Sequence, residues 1–556
     1  MRISSWSRTA VTVIAALLLT IAACAPASGP APVGGAGAAG AAGAAAQPKG
    51  GGTLVVGVYT DPKFLNSNYD FDGQAYYQNM NVMSKLVNTD YQTGKVHPDL
   101  ATKWDVSPDG LTYTFQLREG VKWHDGKPFT SADVKWTYDD LIKEDMKAQA
   151  FRIITSLKSV AAPDPKTVVF TLKETDALFL VGLSGYYGAN ILPKHLYEGT
   201  DVRKNPYNLK PVGTGPFKVV DLVSGSYLSL EANPEYYGLG PYLDKLIFKV
   251  VPNLATMIST LETGEVGYSA PSPPFGDVAR LRALPGMKVD EAPSQIVQWT
   301  AFNLSDPKFK DLRVRQAITH AVDPKAISTQ VFAGLVTPST ATYISTVPWA
   351  YNANAKQPAY DPVIAEKLLD EAGFKRGADG IRFKTRYAAW ISSLAGGPEM
   401  GQVIKQQLGK VGIDVNLEIG EFALFNEKII NKRDFEMTAS GGPHGPDPSE
   451  FANFVGTGGT RNVMKYSNAR VDELFKMGRK TIIEEERKKI YFEIQEIIAK
   501  DLPRMNLVEY TYMRPYRAEF HDFWWQKVAT DLKVGQDMYN LTWSDKGSDT
   551  SPRKKK

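Results

Sequence analysis

Apolar and polar positions repeat along this chain with two different periods, and the periods locate its elements. Thr53 to Tyr59 (TLVVGVY) is a run of β-branched and aromatic residues and predicts a strand. Tyr113 to Leu117 (YTFQL) alternates with period two after the turn Ser107-Pro108-Asp109-Gly110, and Thr167 to Leu172 (TVVFTL) repeats the pattern. Between them the period lengthens. Thr130-Ser131-Ala132-Asp133 reads as a capping box, and Val134, Tyr138, Leu141 and Ile142 follow on one helical face. In the second half Asp311 is placed to cap a helix whose inner face is Val314, Ile318, Ala321 and Val322. Asp361-Pro362 opens another, with Leu368, Leu369 and Ala372 inside it and Gly373 at its end. The longest helix is expected between Ile482 and Pro503. It starts on Glu484, Glu485 and Glu486, which suit the helix dipole, and buries Ile490, Ile494, Ile497 and Ile498. Strands such as Asp414 to Ile419 lie between these helices. Mixed strands and helices with neither a regular βα period nor an internal repeat predict α/β lobes rather than a barrel.

The N-terminal segment obeys different rules. Arg2 and Arg8 precede Ala10 to Ala23, an apolar stretch shorter than the ~20 residues a membrane helix needs, and the pattern fits a secretory signal. The stretch ends Ile21-Ala22-Ala23-Cys24, and Cys24 is the only cysteine of the chain. Those residues resemble a bacterial lipobox. The resemblance implies a lipoprotein signal peptide over 1–23 and a diacylated Cys24 as mature N-terminus, and two acyl chains give durable membrane attachment. With Cys24 spent, no thiol is left for a disulfide, so the core alone must hold the fold. Residues 24–52 then form the lipidated cysteine and a tether, because Ala25 to Gly52 collapses to Ala, Gly and Pro and cannot bury enough apolar surface to order. The net charge of +4 includes a tail, Arg553-Lys554-Lys555-Lys556, read with 546–556 as a solvated basic end. No basic stripe points to nucleic acid, and no second apolar run reaches membrane length.

A family resemblance rests on ordered blocks. Leu100 to Asp139 reads LATKWDVSPDGLTYTFQLREGVKWHDGKPFTSADVKWTYD, followed by VGTGPFKV at 212–219, NPEYY at 233–237 and LETGEVGY at 261–268. FKDLRVRQAITHAVD at 309–323, YDPVIAEKLLDEAGF at 360–374 and NVMKYSNARVDELF at 462–475 complete the set. Together they resemble extracellular solute-binding protein family 5, the oligopeptide-, dipeptide- and nickel-binding receptors of bacterial ABC importers. The likeness runs from Gly51 to about Trp543.

The resemblance implies a two-lobe periplasmic-binding-protein-like α/β fold of type II, with an extra domain inserted in the first lobe. Lobe 1 would take residues 53–83, 213–299 and 504–545, the inserted domain 84–212, and lobe 2 residues 300–503. Its implied function is a monomeric extracytoplasmic receptor that closes on a ligand and delivers it to an ABC permease and its ATPase. It would use no cofactor or metal and make or break no bond. Peptide is the default ligand, and a non-peptide polar solute such as an oligosaccharide or an opine-like compound is the alternative. A surface hydrolase is the rival class, and it would need paired carboxylates across a cleft or a metal cluster. A binding module that feeds no permease is a third reading.

Local motifs weigh toward structure. Trp123-His124-Asp125-Gly126 reads as a strand-to-turn corner, and Gly213-Thr214-Gly215-Pro216 lacks the Gly-Lys-Ser/Thr ending of a phosphate loop and reads as a tight crossing. The six histidines show no metal-site spacing.

In peptide-binding members an aspartate of lobe 2 pairs with the peptide ammonium, three residues before an acidic-Pro pair. Here Ser440 to Pro448 reads SGGPHGPDP, which puts His444 in that place. A neutral imidazole offers an acceptor but no formal charge. Asp447 is then either a substitute acceptor or a cap for the helix through Phe451 and Phe454. Trp299, Arg386, Tyr387 and Trp390, with Tyr186 and Tyr187, complete the candidate ligand contacts, each equally suited to a pocket or to the core.

Overall fold

β-Branched runs and capped amphipathic segments become elements where the periods place them. In the computed structural model the described residues are 47–62, 64–68, 78–90, 95–141, 143, 154–184, 189–391, 396–421, 426–445, 447–526 and 538–548. Cys24, the signal segment, most of the tether and the end of the basic tail lie outside them, as do Tyr186 and Tyr187. Residues 48–556 hold together as one unit.

Its first part contains β1 (Thr53–Val58), β2 (Ala101–Val106), β3 (Thr112–Leu117), α1 (Ser131–Leu141), β4 (Leu157–Asp164) and β5 (Thr167–Leu172). Strands β3 and β5 bury every second residue, as alternation requires of a strand with one covered face. They form the middle of a four-stranded sheet in the order β2-β3-β5-β4. α1 starts where the capping box predicts, with the Thr130 N–H donating to Asp133 Oδ2 (2.9 Å). Then come β6 (Phe217–Val223), β7 (Tyr227–Ala232), β8 (Lys245–Val250), β9 (Tyr268–Ser269) and the sixteen-residue β10 (Met287–Phe302).

The remainder brings α2 (Leu312–Ala321), α3 (Pro362–Glu371), β11 (Phe383–Ile391), α4 (Gly397–Lys410), β12 (Ile413–Glu421) and β13 (Met437–Pro443). It ends with α5 (Ala469–Lys480), α6 (Glu484–Asp501) and the fourteen-residue β14 (Arg504–Arg517). Asp311 and Asp361 cap α2 and α3 through the N–H groups of Arg313 and of Val363 and Ile364. α6 begins on its three glutamates and buries Ile490, Ile494 and Ile498, while Ile497 is half-buried.

One sheet joins these parts in the order β12-β11-β13-β10-β14-β9-β1-β8-β7-β6, with Thr337–Pro338 added beside β14. The apolar interior falls into separate bodies. One gathers Leu54, Val56, Phe115, Tyr138, Phe170, Trp524 and Tyr539. Two others lie on opposite faces of the second half: Tyr387 and Ala389 turn to a core with Ile318, Ile404 and Tyr510, and Ala388 turns to one with Trp299, Phe454 and Ile494.

The long strands β10 and β14 contribute side chains to more than one of these bodies, and their pairing breaks in the middle. Met287 to Pro293 face Arg517 to Thr511, and Val297 then faces Glu509. Three residues of β10 therefore oppose Tyr510 alone, a bulge that bends the pair. Ser294 bridges the gap. Its hydroxyl donates to Tyr510 O (2.5 Å) and accepts from the Ile296 N–H (3.1 Å).

Two boundaries shift from the sequence expectation. Gly51 N–H already donates to Tyr242 O (2.7 Å) and Gly52 N–H to Asp244 Oδ2 (3.1 Å), so ordered backbone pairing begins before Thr53. The break expected after residue 299 falls inside β10, because that strand is continuous through both bodies.

Candidate functional site

β13 carries a glycine-rich stretch, Ser440-Gly441-Gly442, near the bulge. β13 pairs with β10 from Met437 to Pro443, but with β11 only at Met437 and Thr438. Beyond Thr438 no described strand covers its second edge. That edge borders a narrow cavity of about 20 Å³, lined by Gln298, Trp390, Gly397, Met400, Ala439, Ser440 and Gly441. Trp390 Nε1–H donates to Ala439 O (3.0 Å), which fixes the indole against the cavity. A larger cleft of about 480 Å³ lies beside His124, Tyr207, Lys210, Lys218 and Glu231 and contains none of the candidate residues. The candidate site is placed at the β13 edge, because no described strand covers that edge beyond Thr438 and the Trp390 indole stands beside it.

Trp390 is thus the one described candidate that lines this cavity. Trp299 and His444 meet instead inside the core. The His444 ring stacks on Phe454 (centroids 4.9 Å, planes 2° apart) and meets the Trp299 ring edge-on (5.3 Å). Its Nδ1 faces Gly442 O (2.8 Å), so that nitrogen carries the proton; Nε2 accepts from Arg504 Nη2 (2.9 Å). Burial, then the Arg504 charge, holds the imidazole well below its usual pKa. His444 is therefore a neutral, fully engaged ring.

Asp447 is buried and accepts a bidentate pair from Arg487, Nη1 to Oδ2 at 2.9 Å and Nη2 to Oδ1 at 2.8 Å. It also caps the following turn, since Oδ1 accepts from the Ser449 N–H (2.9 Å) and hydroxyl (2.8 Å). Tyr387 is fully buried and its hydroxyl meets Thr300 Oγ1 (3.0 Å), with burial raising its pKa. Arg386 points to a surface carboxylate group formed by Glu418, Asp434 and Glu436.

Arg504 escaped the sequence reading. It is buried, its guanidinium lies 4.4 Å from the Trp299 ring centre and 4.9 Å from that of Phe451, and Nε and Nη1 meet no hydrogen-bond partner among the described residues. Burial alone pushes its pKa down to about 9. The available signal was a charge at the head of the strand-like stretch Arg504 to Met513, where a buried cation calls for compensation. Here the compensation is the two aromatic faces, the His444 acceptor and Thr342 O (3.2 Å).

The inviting His124–Asp125 motif is a structural corner. His124 Nδ1 accepts from the Gly213 N–H (3.1 Å) and Nε2–H donates to Gly215 O (3.0 Å), with burial pushing the imidazole down to about 4.

Comparison with known proteins agrees with this architecture. Residues 95–462 match the bacterial extracellular solute-binding proteins, family 5 Middle. A putative ABC transporter peptide-binding protein of Brucella ovis is 34% identical over 66% of this chain and 69% of its own. The oligopeptide-binding protein AppA of Bacillus subtilis is 30% identical over 82% of this chain and 86% of its own. The solved periplasmic binding protein DppA of Helicobacter pylori, in complex with the peptide STSA, superposes with a TM-score of 0.74 at 27% identity, covering 90% of this chain and 99% of that one.

Proposed function

The chain belongs to the bacterial extracellular solute-binding proteins of family 5, and from that premise we propose that it is the receptor of an ABC importer, taking peptides between two lobes and passing them to a membrane permease. The observation that carries the peptide reading is the second edge of β13 beyond Thr438, which no described strand covers and which borders Trp390. An extended peptide adds to such an edge as a strand: its main chain supplies affinity, and side-chain pockets supply preference. The bulge between β10 and β14 is the hinge in this reading, and it lies where these two strands pass beside a core shared by Leu261 and Leu281 on one side and Ile318 and Ile404 on the other. Lobe 1 takes residues 53–83, with pairing that already starts at Gly51, 213–299 and 504–545 with the insertion at 84–212, and lobe 2 takes 300–503, the passage between them lying within β10. Contacts that exist only when both lobes touch the ligand shift the population to the closed form, which the permease recognises. The receptor performs no chemistry, acts as a monomer, and sits outside the cytoplasmic membrane on a lipid carried by Cys24.

A second ligand reading has its own support. His444 is neutral, and the Asp447 carboxylate is committed to Arg487, so neither offers a free charge to a peptide ammonium. That favours a polar solute without an ammonium group, held by Trp390 and backbone groups.

A thermal-shift screen of the purified protein against di- to oligopeptides, oligosaccharides and nickel tests both readings. A ligand that binds only the folded state adds about 2.7 kcal/mol at a hundredfold excess over its dissociation constant. Shifts with peptides, lost in Trp390→Ala, support the first reading, and shifts with sugars alone support the second. No shift with any of them removes the site from the β13 edge.

A further inference from the structure

The segment 84–212 and the segment 300–503 also touch outside the long strands, at a polar patch that the ligand reading does not use. On one side Asp176, at the end of the segment after β5, is buried and set in place by its own neighbours. The Ser156 hydroxyl donates to Oδ2 (2.7 Å) and the Leu178 N–H to Oδ1 (3.0 Å). On the other side stands Arg479, in the last turn of α5. Its Nε donates to Asp176 Oδ1 (3.2 Å), and its Nη2 donates to Asp176 Oδ2 (2.9 Å) and to Thr155 Oγ1 (3.0 Å). The backbone joins in: the Ala177 N–H donates to Arg479 O (2.8 Å). That carbonyl belongs to a helix end, where the last C=O groups lack partners within the helix. The first segment thus caps a helix of the second. Lys480 adds an exposed pair with Glu174 (2.7 Å).

Two features set this patch apart from a chance surface contact. Most single surface pairs contribute little, because both ions are solvated and mobile. Here the carboxylate is 1% exposed while Arg479 is 38% exposed, so the acceptor is preformed and the cation can leave into water. An acceptor fixed in advance costs little ordering when the contact forms, and a cation that rehydrates easily lets it break again. Both are what a reversible contact between moving bodies requires.

We propose that Asp176, Thr155 and Glu174 on the inserted domain and Arg479 and Lys480 on lobe 2 form a clasp that holds the lobes together in the absence of ligand. It rests on the two-lobe reading above. Rotation about the β10–β14 bulge breaks these contacts, so the clasp sets the open-to-closed ratio on which a ligand acts. Arg479 therefore tunes affinity without touching ligand.

The test is a fluorescence-transfer distance measurement on the full chain, ligand-free, with Cys24→Ser and probes on cysteines introduced at the exposed positions Lys103 and Lys476. The parent is expected to show mainly the short distance. Arg479→Ala raises the open-to-closed ratio about fivefold, the effect of an ion pair at the strong end of the measured range. Arg479→Lys, which keeps the charge but loses the fork, falls between the two. Lys480→Ala and Glu174→Ala, both at exposed positions, each shift the ratio about twofold and keep the test open should Arg479→Ala fold poorly. A distance distribution unchanged in Arg479→Ala, or in the Lys480 and Glu174 variants where Arg479→Ala does not fold, overturns the clasp. Because no ligand is added, that failure leaves the receptor reading standing. A failed ligand screen, in turn, leaves the clasp standing.

Discussion

At the scale of single residues, burial decides what each polar group is able to do. Asp447 and Arg487 are both buried and joined by two hydrogen bonds, so removing one partner strands the other charge in a medium that solvates it poorly. Arg487→Ala is expected to lower unfolding free energy by about 3–5 kcal/mol, read by denaturant titration. The imidazoles predict a pH effect whose sign follows from their neutral state. An unfolded histidine takes up a proton near pH 6.5, whereas folded His124 does so only near 4 and His444 is also pushed well below 6.5. Between those pH values the unfolded chain binds more protons, so stability falls as pH falls, by at most about 1.4 kcal/mol per pH unit for each ring. His124→Asn should flatten the fall in unfolding midpoint between pH 6.5 and 4. A parent midpoint that holds steady across that window would exclude this origin. His444, which the motif comparison set at a ligand position, is a buried ring stacked on Phe454. Its neighbours were not legible, because Arg504 is distant in sequence and reaches it only through the pairing of β10 with β14.

At the scale of elements, the sequence was most readable where periodicity and caps agree. α2 and α3 start on the aspartates that predict them, and β3 and β5 alternate as written. The bulge at Ser294 was not legible. Nothing in Pro293-Ser294-Gln295-Ile296 reveals that three residues will oppose one, since that depends on a partner strand more than two hundred positions away. Tight crossings are readable in kind but not in partner. Gly213 was expected at such a place, and its reason is steric: a Cβ there would lie 1.8 Å from Val82 O. The neighbouring Gly215 N–H donates to that same carbonyl (2.9 Å), which keeps the two segments in contact. Gly213→Ala should cost about 3 kcal/mol or more through forced separation of the segments. An unfolding midpoint equal to the parent's would show that this crossing yields without penalty.

At the scale of the whole molecule, family membership and fold follow from ordered sequence blocks, whereas the ligand does not. Blocks such as VGTGPFKV hold close backbone packing, as Gly213 and Gly215 do against Val82. Ligand choice rests on a few side chains at the joint, where Trp390 lines the cavity while Tyr387, three positions before it, is core. That distinction depends on which face of β11 each occupies and on what α4 covers. A receptor of this kind closes on its ligand and returns it unchanged. The most direct measurement is the distance between probes at Lys103 and Lys476 during titration with a ligand found by thermal shift, followed by mass spectrometry of the recovered ligand. The account predicts a saturable rise in the short-distance population and a ligand of unaltered mass. Saturating binding with an unchanged distance distribution, or a ligand recovered cleaved, would contradict it.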